Sequence, residues 1–104
     1  MAVVTANVTS SDTTVYTSNG NSAVTFSTLT NYSAIAAEVD VHIVPNGDAA
    51  GNLNLIIANL SITAEDTHQL YAGGEKLLLE NGDTIVVSAS ADNAIASVTS
   101  YTAI

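Results

Sequence analysis

A chain of 104 residues holds one domain and not two, and with 47% hydrophobic residues it can bury a modest core of its own. Aromatics make up only 5%, with no Trp and a single Phe, so Val, Ile and Leu must build that core. Ten acids stand against one base, Lys76, and a net charge of −9 repels phosphate backbones and anionic lipid surfaces, excluding nucleic-acid and membrane-surface partners.

The apolar positions favour a period of two over 3.6, and Gly, Asn and Asp punctuate them. Val3–Thr9 is β-prone. Thr13–Thr17 is a short strand ending at the turn signal Ser18-Asn19-Gly20-Asn21. Ser22–Asn31 alternates at Val24, Phe26 and Thr28. Ala36–Pro45 alternates most cleanly, with Val39, Val41 and Ile43 on one face and Glu38, Asp40, His42 and Val44 on the other. After the loop Pro45–Asn52, the run Leu53–Ile62 reads as a strand on its β-branched pair Ile56-Ile57. Thr67–Tyr71 and Glu75–Glu80 flank a turn at Ala72-Gly73-Gly74. Asn81-Gly82 between two β-rich runs predicts a tight hairpin into Thr84–Ser90. A turn at Asp92-Asn93 precedes the last strand, Ala94–Ile104.

Eight or nine short strands and no helix predict an all-β, single-domain antiparallel β-sandwich, jelly-roll or immunoglobulin-like. Residues 13–104 are expected to form the sandwich, and residues 1–12 a β-prone segment or arm. The expected core is Val24, Phe26, Val39, Val41, Ile43, Leu77, Leu79, Ile85 and Val87.

Several patterns carry candidate chemistry, and each has a plainer reading. Glu38, Asp40 and His42 share a strand face and could offer ligands to a divalent metal. Strand residues two apart are separated by about 6–7 Å, however, which is wide for one coordination shell, and alternation alone would turn them outward. Asn46, Asp48 and Asn52 with Gly51 echo a calcium loop, but Ala50 and Ile57 stand where oxygen ligands belong. His68 lies near Glu65 and Asp66, and serines abound, yet no Gly-x-Ser-x-Gly elbow accompanies them. The sequons at Asn7, Asn31 and Asn59 are what a chain rich in Asn, Ser and Thr produces by chance. Gly73-Gly74 and Gly82 read as turns and not as a phosphate cradle. With no cysteine there is no disulfide, thiolate site or cysteine nucleophile. No apolar run approaches the roughly 20 residues that cross a bilayer, and the N-terminus lacks the pattern of an export signal. The expectation is a soluble non-enzyme without cofactor, catalytic residue or metal.

The order of segments carries a resemblance. Val15-Tyr16-Thr17, Ser22–Phe26, Val39–Gly47 with its Val44-Pro45-Asn46-Gly47 turn, Asn59–Ile62, and Leu77–Ile85 leading into Ser88–Ala91 follow one another in sequence. In this order they resemble small β-sandwich virion proteins encoded by tailed bacteriophages, including phages of cyanobacteria and other aquatic bacteria. The likeness covers roughly residues 13–104 and departs from the pattern at Ser18–Asn21. It implies a structural component of the virion, first of all a capsid decoration (cement) protein that binds the major capsid protein. Analogy with decoration proteins suggests a homotrimer on the capsid surface, made in the host cytoplasm. A tail, collar or fibre protein, or a sandwich that binds host-surface glycans through exposed aromatic rings, is the alternative.

Overall fold

The computed structural model describes residues 2–71 and 77–104, and their strands lie where the period-two reading sets them. They are β1 (Ala2–Val8), β2 (Thr13–Thr17), β3 (Ser22–Asn31), β4 (Ala37–Val44), β5 (Leu55–Ile62), β6 (Thr67–Tyr71), β7 (Leu77–Leu79), β8 (Thr84–Ala89) and β9 (Ile95–Ala103). All pairings are antiparallel. Sheet A runs β1-β9-β3-β6, with β7 beside β6 on the same flank of β3, and sheet B runs β2-β8-β4-β5. The two sheets face each other as an all-β sandwich. Counted as one interrupted strand, β6 and β7 complete two four-stranded sheets whose connections mostly cross from one to the other. This is the jelly-roll arrangement, and it decides between the two expected topologies.

The core fills the space between the sheets as alternation predicts at most positions. Val24, Val39, Val41, Leu79, Ile85 and Val87 are buried, and Leu77 and Ile43 pack against them half-buried. Val8, Leu29, Ile62 and Ile95 join them. Tyr16 also turns inward. Its ring lies 4.7 Å from that of Tyr101, and its hydroxyl donates to Ser22 Oγ at 2.8 Å, which satisfies the buried polar end.

Five expectations need correction. Phe26 is not core: it is 37% exposed, because β3 carries a bulge between Val24 and Phe26. The extra residue shifts the alternation, so Val24 points inward before it and Ser27, Leu29 and Asn31 point inward after it. His42 and Val44 are not on a wet face. Both are buried, and the loop after β4 folds back with a short 3-10 turn, Asn52–Asn54, beside that strand. This turn also moves the start of β5 from Leu53 to Leu55 and leaves Leu53 exposed. Asn81-Gly82 does not close a hairpin: β7 belongs to sheet A and β8 to sheet B, so the turn arches from one sheet to the other. Gly82 adopts φ 87 there, where a side chain is strained, and Asp83 N donates to Glu80 O at 3.1 Å. Finally, residues 2–8 are not an arm. β1 pairs with β9 along its whole length and buries Val8, so it is one of the jelly-roll strands. The predicted turn at Ala72-Gly73-Gly74, like Glu75 and Lys76, lies outside the described residues.

Candidate interaction surface

The titratable groups singled out in the sequence are not brought together. Glu38 is exposed, Asp40 accepts the backbone N–H of Asn59 at 2.7 Å, and His42 is covered. His42 Nδ1 lies 3.1 Å from Gly51 O and 3.0 Å from Asn54 Oδ1. Both partners are acceptors, so Nδ1 carries the proton and donates, which latches the loop onto sheet B. Asn54 closes the same loop on itself, accepting from Gly51 N at 3.0 Å and donating to Ala49 O at 3.0 Å. Of the calcium-like residues, Asn46, Asp48 and Gly51 spend backbone groups on partners outside their own set, and no described hydrogen bond joins one of them to another. Asp48 N bonds Pro45 O, and Asn46 N bonds the Asp83 carboxylate. His68 sits on β6 opposite Leu29, while Asp66 bonds Thr63 and the N–H of Thr67. Among the described residues no group of three His, Asp or Glu side chains gathers as a metal site would.

The sequons are structural as well. Asn7 accepts the Tyr32 hydroxyl at 2.7 Å, Asn31 is fully buried, and Asn59 occupies the left-handed region at φ 53 within an irregularity of β5. Among the described side chains the aromatic rings do not form a platform. Tyr16 and Tyr101 pack together inside, whereas Tyr32 lies beyond the end of β3 and Phe26 on the broad outer face of sheet A.

That outer face is the feature the sequence reading missed. None of the residues in β1, β3, β6, β7 or β9 is Asp, Glu, Lys or Arg, although the chain carries a net charge of −9. Registers across the strands lay out its outward positions in rows: Asn7, Ala96, Thr30 and Thr67; then Thr5, Val98, Thr28 and Gln69; then Val3, Ser100 and Phe26; and at one end Thr102, Ala23 and Leu78. Val3 and Leu78 are exposed together with Phe26, among hydroxyls and methyls. The described acids lie elsewhere. Glu38 and Asp40 are on β4 of sheet B, and Asp12, Asp48, Glu65, Asp66, Glu80, Asp83 and Asp92 occupy the loops at the two ends. A sheet face that must only stay in water normally carries charge, so a broad neutral face on an acidic chain is suited to being covered. The signal was present in the sequence as strands without charge, but it became a surface only when the topology put those strands side by side.

Compared with known protein families, with characterised proteins and with solved structures, the chain matches none. Among the described residues no helix is long and apolar enough to cross a membrane.

Proposed function

We propose that this chain is a non-enzymatic structural protein of a tailed-bacteriophage virion, a capsid decoration protein that lies on the outer shell and braces it. The observation that carries the reading is the absence of charged residues from the described strands of sheet A on a chain of net charge −9. Docking those strands onto the shell desolvates no Asp, Glu, Lys or Arg of theirs, and burying an unpaired ion is costly at an interface. Their Thr and Ser hydroxyls supply polar and water-mediated contacts, and Val3, Phe26 and Leu78 supply apolar area. The molecule measures 39 × 27 × 19 Å, so its broad side is large enough for an ordinary interface of about 800 Å² per partner. The acidic loops and sheet B would then face solvent and discourage further layers. Jelly rolls serve viral shells and lectins alike, so the virion assignment rests on the order of sequence segments and the decoration role on the neutral face. The inward packing of Tyr16 against Tyr101 takes two of the five aromatic rings away from a glycan-binding surface.

Electron cryomicroscopy of virions containing the chain is the test. Density for the sandwich on the shell, with sheet A inward, is the expected result. Density confined to the tail, collar or fibres overturns the decoration role. Phe26→Lys should lower occupancy on undecorated heads at least tenfold, because it buries an unpaired cation, while Thr14→Lys on β2 of sheet B should leave occupancy unchanged.

A further inference from the structure

The four edges of the sandwich are not equivalent. On sheet B, β2 has five residues and a register shift between Thr14 and Tyr16. The opposite edge, β5, breaks register twice, holds Asn59 at φ 53, and has the N–H of that residue tied to the Asp40 carboxylate. On sheet A, the flank beyond β3 is split between β6, itself irregular, and the three-residue β7. Interruption of this kind is how sandwiches prevent unwanted strand addition. β1 has none of it. Its seven residues pair with β9 from Ala2 to Val8 in unbroken register, and they include no charge, Pro or Gly. Among the described residues, no hydrogen bond beyond the β9 ladder uses the backbone of Ala2–Asn7.

We infer that the free edge of β1 is a self-pairing edge, through which two copies of this chain join antiparallel, β1 to β1, across a two-fold axis perpendicular to sheet A. The axis keeps outer face on outer face, so opposed residue numbers must sum to an even number. The register that pairs the whole strand sets Thr5 opposite Thr5, Val3 opposite Asn7, Val4 opposite Ala6 and Ala2 opposite Val8. No charge meets its twin. That matters for two bodies of charge −9, because β1 offers an approach along which no strand residue is a carboxylate. An isologous edge closes on itself with two copies, whereas a three-fold ring needs a second, complementary edge, and the other edges are interrupted. The inference therefore sets a dimer against the trimer expected by analogy, and it joins two neutral faces into one. It stands independently of the virion reading.

A single strand pair makes a small interface, so the dimer should form reversibly as concentration rises from about 1 μM to about 1 mM. Sedimentation equilibrium of the full chain should show this monomer–dimer exchange, and the β1 amides should gain protection from hydrogen exchange as the dimer forms. Thr5→Lys and Thr5→Glu should each weaken self-association at least tenfold while melting as the parent does, since Thr5 is exposed. Mixing the two variants should restore a mixed dimer, because opposite charges then meet at the axis. Phe26→Lys, on β3 and away from the edge, should dimerise normally, although it is the variant expected to fail on the capsid. A chain monomeric at every concentration overturns the inference, as does failure of the mixed variants to pair. Loss of the dimer in Phe26→Lys but not in the Thr5 variants would assign association to the sheet face and overturn it too.

Discussion

Asn31 uses its whole amide. Its Nδ2 donates to Ile35 O at 2.8 Å and to Ile62 O at 2.9 Å, and its Oδ1 accepts from the N–H and hydroxyl of Ser33. Because Ile62 belongs to sheet B, one fully buried side chain of sheet A ties the two sheets together. Asn31→Ala should lower unfolding free energy by about 3 kcal/mol in a denaturant titration, since several buried partners lose their bonds at once. The opposite holds nearby. Thr99 is buried and its hydroxyl has no hydrogen-bond partner among the described residues, and the same is true of the hydroxyls of Ser27 and Ser97. Thr99→Val keeps the shape and removes a desolvated hydroxyl, so the same titration should show it neutral or more stable by about 1 kcal/mol. A clear loss of stability would mean that the hydroxyl is satisfied after all.

The bulge in β3 is the element that most changes the reading of a sequence segment. Strict alternation from Val24 puts Phe26 inside and Leu29 outside; the observed strand does the reverse. Phe26→Thr should therefore cost less than about 1 kcal/mol, as a surface change does, while Leu29→Ala should cost about 2–5 kcal/mol through the cavity it leaves. Thermal melts of the two variants decide between the phases. β5 illustrates a different device. Asp40 accepts the N–H of Asn59, which opens the left-handed turn and breaks the edge at the point where a foreign strand would align. Strand existence was legible throughout, because period two needs only local composition. The bulges, the burial of His42 under Gly51 and Asn54, and the arch at Gly82 were not. Each depends on a residue distant in sequence, and the Asn-Gly signal is the same whether the next strand pairs locally or joins the other sheet.

At the scale of the molecule, charge is segregated. The strands of sheet A are neutral, and the described acids sit on β4 and in the loops. Two copies of charge −9 repel at long range whichever surface joins them, and salt screens that repulsion, shrinking the Debye length from about 30 Å at 0.01 M to about 8 Å at 0.15 M. The dimer constant should therefore rise with salt across this range in sedimentation experiments. An interface built on ion pairs would weaken instead, so the sign of the slope tests whether the contact is the neutral one argued from β1. The same segregation explains why the candidate site escaped a search for motifs. It contains no chemical group that a motif could name, only the shared lack of charge in strands that are far apart in the chain.

The sequence by itself determined the class of structure: an acidic, single-domain, all-β chain whose turns fall at Gly, Asn and Asp and whose core is Val, Ile and Leu. Those properties follow from local propensity, alternation and charge, which act over a few residues. Only the tertiary structure decided that β1 is a jelly-roll strand with an open edge, that Phe26 faces out, and that the uncharged strands lie side by side as one surface. Those features are long-range. Which strand neighbours which is settled by burying one common core between two sheets, a free energy summed over contacts that no segment of the chain makes alone.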